Sequence, residues 1–96
     1  MPTLTILSGA DEELKEVSQF YEGRCGMGAA FMDEMALAYQ KIRQNPLSWP
    51  RIKGGFRKYK LHRFPYNVVY KIVDEEIFVF AVAHQHQKPF YWRNRV

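Results

Sequence analysis

The sequence predicts an α+β domain in the order β-α-α-β-β-β, with an N-terminal helical hairpin packed on a small twisted antiparallel sheet. Two observations carry this. Apolar residues recur at helical spacing in two stretches of the first half, separated by a glycine-rich joint. The second half instead holds alternating or continuous apolar runs of strand length, punctuated by Pro65 and by Asp74-Glu75-Glu76. Helices segregated from strands in this way pack as a layer on one sheet face.

The elements follow in order. Thr3–Leu7 is a short β-prone run. Ser8, three residues before Asp11, is an N-cap signal, and Glu12 and Glu13 suit the positive first turn of a helix. Leu14, Val17, Phe20 and Tyr21 then give an amphipathic helix over 10–23. Gly23, Gly26 and Gly28 break the pattern around Cys25. Phe31, Met35, Ala38 and Ile42 form the stripe of a second helix, broadened by Leu37 and Tyr39, with Met27 and Met32 as further core residues. Asn45-Pro46 ends it, because proline disfavours helical geometry in the residue before it. Residues 46–55, with two prolines and two glycines, form a loop. Phe56–Phe64 alternates, with Arg57, Tyr59, Leu61 and Arg63 on one face and Phe56, Lys58, Lys60 and His62 on the other. Tyr66–Val73 follows the Pro65 turn. Ile77–Ala83 is apolar on both faces and therefore central.

The 96 residues make a single domain with one modest core, and no repeat, linker or low-complexity tract divides it. One cysteine excludes an internal disulfide and a cysteine-rich zinc site, and fits a reducing cytoplasm. No apolar run reaches the roughly 18 residues needed to cross a bilayer, and the N-terminus lacks the basic residues of a secretory signal.

Charge is unevenly placed. Residues 1–48 hold 4 Lys/Arg against 7 Asp/Glu, whereas residues 49–96 hold 10 against 3. A basic half of a small domain suits an anionic partner, either nucleic acid or an acidic protein. The candidate contact set is Lys53, Arg57, Lys58, Lys60, Arg63, Lys88, Trp92, Arg93 and Arg95, interleaved with Tyr59, Phe90 and Tyr91. Arginine with aromatics serves both base stacking and protein-interface anchoring.

His84 and His86 lie two apart, yet nothing nearby in sequence supplies the third ligand a metal needs. The reading is that His84 closes the last strand against backbone and His86 is exposed, where it is available for acid–base work. No metal or other cofactor is expected. No phosphate-binding glycine loop, paired catalytic carboxylates or Ser/His/Asp set is present.

Asn45-Pro46, Gly55-Phe56-Arg57-Lys58-Tyr59, Leu61…Arg63-Phe64-Pro65-Tyr66, Val69-Tyr70, Ile77…Ala81-Val82-Ala83-His84 and Pro89…Trp92…Arg95 follow one another in an order that resembles the RelE/ParE superfamily of bacterial toxins. The resemblance runs through nearly the whole chain, and its specific motifs lie in residues 55–95. It implies the toxin of a type II toxin–antitoxin, or plasmid-stabilisation, pair that is cytoplasmic and forms a hetero-oligomer with a cognate antitoxin. The superfamily splits by mechanism: RelE-type members cleave mRNA on the ribosome, whereas the ParE branch poisons DNA gyrase.

Where RelE-type cleavers carry an arginine after the tyrosine that opens the third strand, this chain has Asn67. It has His86 at the place of a second arginine, and Trp92 beside Tyr91 at the place of the late tyrosine. Cleavage by the RNA's own 2′-hydroxyl needs a base and cationic donors for the developing phosphorane charge. Arg63, His86, Lys88 and Tyr91 form the reduced set that a ribonuclease reading would use. The departures favour the ParE branch, with an mRNA endonuclease and a non-toxic binding module as alternatives.

Overall fold

The computed structural model describes residues 2–95. Strand β1 (Leu4–Ile6) runs into helix α1 (Ser8–Cys25), followed by α2 (Gly28–Gln44), β2 (Phe56–Lys60), β3 (Tyr66–Val73) and β4 (Glu76–His84). The strand order across the sheet is β1-β4-β3-β2. The β2–β3 and β3–β4 pairs are antiparallel, but β1 lies parallel to β4, with Leu4 opposite Ile77. The sheet is therefore mixed, where the sequence suggests a wholly antiparallel one. Periodicity reports which face a residue takes and carries nothing about the direction of a distant partner.

Helix α1 begins earlier than the N-cap signal suggests. Ser8 is already helical, and the capping position is Leu7, whose extended backbone (φ −66°, ψ 154°) brings no side-chain cap. Leu7 instead works on both sides of the junction. Its N–H donates to Val79 O (3.0 Å) and its carbonyl accepts from Asp11 N (3.0 Å), so strand passes to helix with no loop. At the other end Gly23 stays helical, since an interior glycine costs only about 1 kcal/mol. The break comes at Gly26, which takes the left-handed conformation (φ 69°) and donates to Glu22 O.

The hairpin joint is thus two residues, Gly26-Met27. Gly28 then sits where the helices nearly touch, and a Cβ there would lie 2.9 Å from Ser18 O. Its N–H is met by the Glu22 carboxylate at 3.1 Å. Phe31, Met35, Ala38 and Ile42 are buried along α2 as their spacing predicts, and Ala10 and Leu14 answer them on α1. Three residues assigned to the apolar stripes face solvent: Phe20 is 52% exposed, Met32 40% and Leu37 46%. Each lies roughly 100° or more around its helix from the stripe centre, and Arg24 covers Phe20 with its guanidinium 5.2 Å from the ring.

β2 ends at Lys60, four residues short of the predicted Phe64. Leu61 and Phe64 turn into the core instead, where Phe64 meets Tyr21 and Phe31 edge-on at 4.7 and 5.2 Å. The turn amides that lose ladder partners are taken by α2, whose Glu34 carboxylate accepts from His62 N (2.6 Å) and Arg63 N (3.3 Å).

β4 is central, as its two-sided apolar pattern predicts, and carries an irregularity. Val69 pairs with Ala81 and Tyr70 with Val79, leaving Phe80 as an extra residue. The bulge sends Phe80 and Ala81 both to the face away from the helices. Ile77, Val79 and Val82 stay in the helix-side core, while Phe80, Ala81 and Ala83 join Phe56, Val69 and Trp92 on the far side. The sheet consequently has a core on each face.

Two measurements check this packing. Gly28→Ala is expected to lower stability by about 1–2 kcal/mol by pushing the helices apart, read as a lower urea midpoint at unchanged m-value. Tyr70, fully buried with its hydroxyl donating to Pro46 O at 2.6 Å, has its phenol pushed up by desolvation to about 12. Below pH 10 it is neutral whether folded or unfolded. Between 10 and about 12 only the unfolded chain ionises, so stability is lost as pH rises through that window. The loss at this site is about 2–3 kcal/mol, and Tyr70→Phe is expected to remove it in unfolding curves at pH 8 and pH 11.5.

Candidate functional site

Past His84 the chain turns through 85–89 and folds back over the far sheet face, so residues 90–95 form a strap across β4. Trp92 anchors it. The residue is only 5% exposed, and its indole lies 6.1 Å from Phe56, 5.6 Å from Phe90 and 5.2 Å from Tyr91. The end of the strap is held by one carboxylate from the opposite end of the sequence. Glu13 of α1 accepts from the Tyr91 hydroxyl (2.6 Å), from both terminal nitrogens of Arg95 (2.8 and 3.2 Å) and from Val82 N of β4 (3.1 Å). Arg95 also donates to Phe80 O at 3.1 Å, the carbonyl of the bulged residue.

The sequence allows this closeness because residue 9 is glycine. A Cβ there would stand 2.8 Å from Arg95 Nε. Burial pushes the Tyr91 phenol well above its ordinary range, and the bond to Glu13 with its negative charge pushes the same way. The hydrogen bond to Glu13 likewise raises the Arg95 guanidinium.

The nine predicted contact residues thus divide. Trp92 and Arg95 are internal anchors rather than surface groups, because ring burial and the Glu13 ion pair hold them against the sheet. Arg57 is also engaged internally. Its guanidinium donates to Trp49 O (2.8 Å) and Leu47 O (3.2 Å) and pins the loop before β2. Lys53, Lys60, Arg63, Lys88 and Arg93 are exposed and Lys58 half-buried. Lys53 and Arg93 come together around Gly54, Phe56 and Phe90, on the same side as the strap. Lys58 lines a neighbouring cavity of about 260 Å³ with Asn67, His84, Gln87, Phe90 and Trp92.

The four residues of the ribonuclease reading sit on different segments: the β2–β3 connection, the turn after β4 and the strap. Arg63 lines a groove with Ala30, Glu34 and Leu37 on the helix side. Tyr91 spends its hydroxyl proton on Glu13, while His86 and Lys88 are exposed in the connecting turn. The ring of His84 closes that turn by accepting at Nδ1 from His86 N (3.1 Å). No group of three His, Cys, Asp or Glu side chains that could hold a metal occurs among the described residues. No helix among them is long and apolar enough to cross a membrane.

Glu13 and Gly9 are the residues that sequence reasoning misses as site-builders. An acid and a glycine in the first turns of a helix read as ordinary helix-start chemistry, and partners 78 and 82 positions away leave no local signal.

The family described as "ParE toxin of type II toxin-antitoxin system, parDE" matches residues 4–89. The chain belongs to the ParE toxin family. An antitoxin is the partner that membership implies. Among solved structures, a chain titled "Chromosomal ParDE TA system from P. aeruginosa" superposes with a TM-score of 0.67 over 88% of this chain and 96% of its own, at 16% identity. At that identity the likeness speaks for the fold, and it agrees with the two helices on a four-stranded mixed sheet found here. No curated protein matches the chain. The family match ends at residue 89, so the strap that Glu13 holds lies beyond it.

The division of the basic residues is open to measurement. Arg57→Ala is expected to cost about 1–3 kcal/mol of stability, since two loop carbonyls lose a charged donor. Lys60→Ala is expected to stay within about 0.5 kcal/mol, both read from urea denaturation followed by circular dichroism.

Proposed function

We propose that this toxin arrests growth by binding DNA gyrase, and that a cognate antitoxin neutralises it. The observation that carries the reading is the family match across residues 4–89, joined to a basic exposed patch at Lys53 and Arg93 beside the strap. Lys58 and Lys88 extend the same basic region along the chain. In the set Arg63, His86, Lys88 and Tyr91, the Tyr91 hydroxyl is bonded to Glu13, which favours target binding over RNA cleavage, because a phosphorane needs its base and cations free within hydrogen-bond reach of one atom.

The antitoxin is read as an acidic, partly disordered protein that folds on the toxin. The groove between α2 and the β2–β3 turn, with Leu37 beside Ala30 and Tyr59, offers an apolar seat for one of its segments. Gyrase binding and antitoxin binding would then use different sides of the sheet, and neutralisation would act by blocking access or by moving the strap.

The test is a DNA supercoiling assay with purified gyrase, run with and without antitoxin, beside primer-extension mapping of mRNA after induction. Inhibition of supercoiling with intact mRNA is the expected result. Lys53→Glu with Arg93→Glu is expected to weaken that inhibition at least about tenfold, a loss of about 1.4 kcal/mol or more in binding. Codon-phased mRNA cuts abolished by His86→Ala would replace the gyrase reading with an endonuclease. Neither effect would leave a non-toxic partner-binding module.

A further inference from the structure

We propose that Glu13 is the positioning residue of the C-terminal strap: its carboxylate locks residues 90–95 in one of two conformations, and the locked one presents the basic patch. The claim about what is presented rests on the gyrase reading above; the lock itself stands on geometry alone.

Three observations point to a lock rather than to ordinary packing. The first is concentration of the polar contacts. Tyr91 and Arg95 reach the helix layer through one group, Glu13, which also holds Val82 N, so a single carboxylate joins α1, β4 and the strap. The second is that the closed strap carries internal costs. Phe90, a bulky residue, sits in the left-handed region at φ 65°, a conformation that surrounding structure must enforce. Trp92 Nε1 and, on β3 beneath it, Asn67 Oδ1 are buried without a protein partner. These costs oppose the burial of the Trp92 ring, so the contacts to Glu13 tip the balance towards the closed strap.

The third observation is that the strap is a self-contained unit. Arg93 N donates to Phe90 O (3.2 Å) and Arg95 N to Trp92 O (2.9 Å), so its turns are closed within 90–95. It can lift without unpairing the β3–β4 ladder, which runs from Tyr66–His84 to Val73–Glu76. Lifting would carry Phe90 and Arg93 away from Lys53, Gly54 and Phe56 and break up the patch they form together. Gly9 supplies the notch that lets the Arg95 guanidinium dock on α1.

The experiment uses the full chain with Trp49→Phe, leaving Trp92 as the sole tryptophan, excited at the red edge where tyrosine does not absorb, and adds Glu13→Gln. Arg95→Gln is a second variant that releases the strap without altering α1. In both, Trp92 emission is expected to shift to the red. Amide exchange across 90–95 is expected to quicken at least about tenfold while Val68 and Tyr70 of β3 keep their protection. Unchanged emission and exchange in both variants would overturn the lock. So would exchange that rises equally throughout the sheet, since Glu13 would then be a general stabiliser. In the supercoiling assay the opened strap is expected to cut inhibition at least about tenfold, and full inhibition by a strap shown to be open would overturn the positioning role. A parent chain that never inhibits gyrase would sink the gyrase reading alone, leaving emission and exchange to decide the lock.

Discussion

The docking of residues 90–95 turns on the carboxylate of Glu13, where α1 meets the strap over the edge of the central strand. β1 stops at Ile6, so the edge of β4 beyond it has no strand neighbour. Glu13 fills that place by accepting from Val82 N, and its remaining capacity ties down Tyr91 and Arg95. An ionised carboxylate accepts several hydrogen bonds at once and strengthens each by its charge. An amide or hydroxyl at position 13 could not meet two guanidinium nitrogens, a phenol and a backbone N–H together. Helix placement, strand-edge satisfaction and tail docking are thereby coupled in one group.

The bulge at Phe80 makes that arrangement possible. It places two successive residues on the far face, widening the apolar platform on which Trp92 rests, and the carbonyl of the bulged Phe80 accepts from Arg95. The far face is only partly covered by the strap. Leu7, Val73, Phe78 and Phe80 border an uncovered apolar hollow beside it, with Val73 43% exposed. One sheet face is thus filled by the helices, and the other is shared between the chain's own tail and open surface.

Much of this was legible in the sequence, for identifiable reasons. The α2 stripe, the central place of β4 and the order of elements follow from period and breaker residues, which are local properties. Phe20, Met32 and Leu37 misled because hydrophobicity alone does not separate the flank of a stripe from its centre. The early end of β2 was hidden because Leu61 and Phe64 are as apolar as strand residues, and only the Glu34 cap shows that the backbone has turned. The basic half was legible as a charge excess but not as a surface. Arg57, Trp92 and Arg95 look like contact residues in a list of basic and aromatic side chains, but Arg57 is spent on two loop carbonyls eight and ten positions back, Trp92 on ring burial, and Arg95 on a carboxylate 82 positions away. Only coordinates separate a cation facing solvent from one spent on the fold.

The parallel pairing of β1 with β4 has a consequence in time. Thr3 and Glu76, joined across that pair, lie 73 positions apart, and Glu13 and Arg95 lie 82 apart. Helices α1 and α2 can form soon after leaving the ribosome, but the sheet cannot close around its middle strand until residues 76–84 have been made. At about 5–20 residues per second, that leaves seconds in which the chain exists as a helical hairpin without a sheet. The entropic cost of closing so long a loop grows only with the logarithm of its length, so the delay is set by synthesis more than by thermodynamics. A toxin built this way completes its sheet late in its own translation and docks residues 90–95 last.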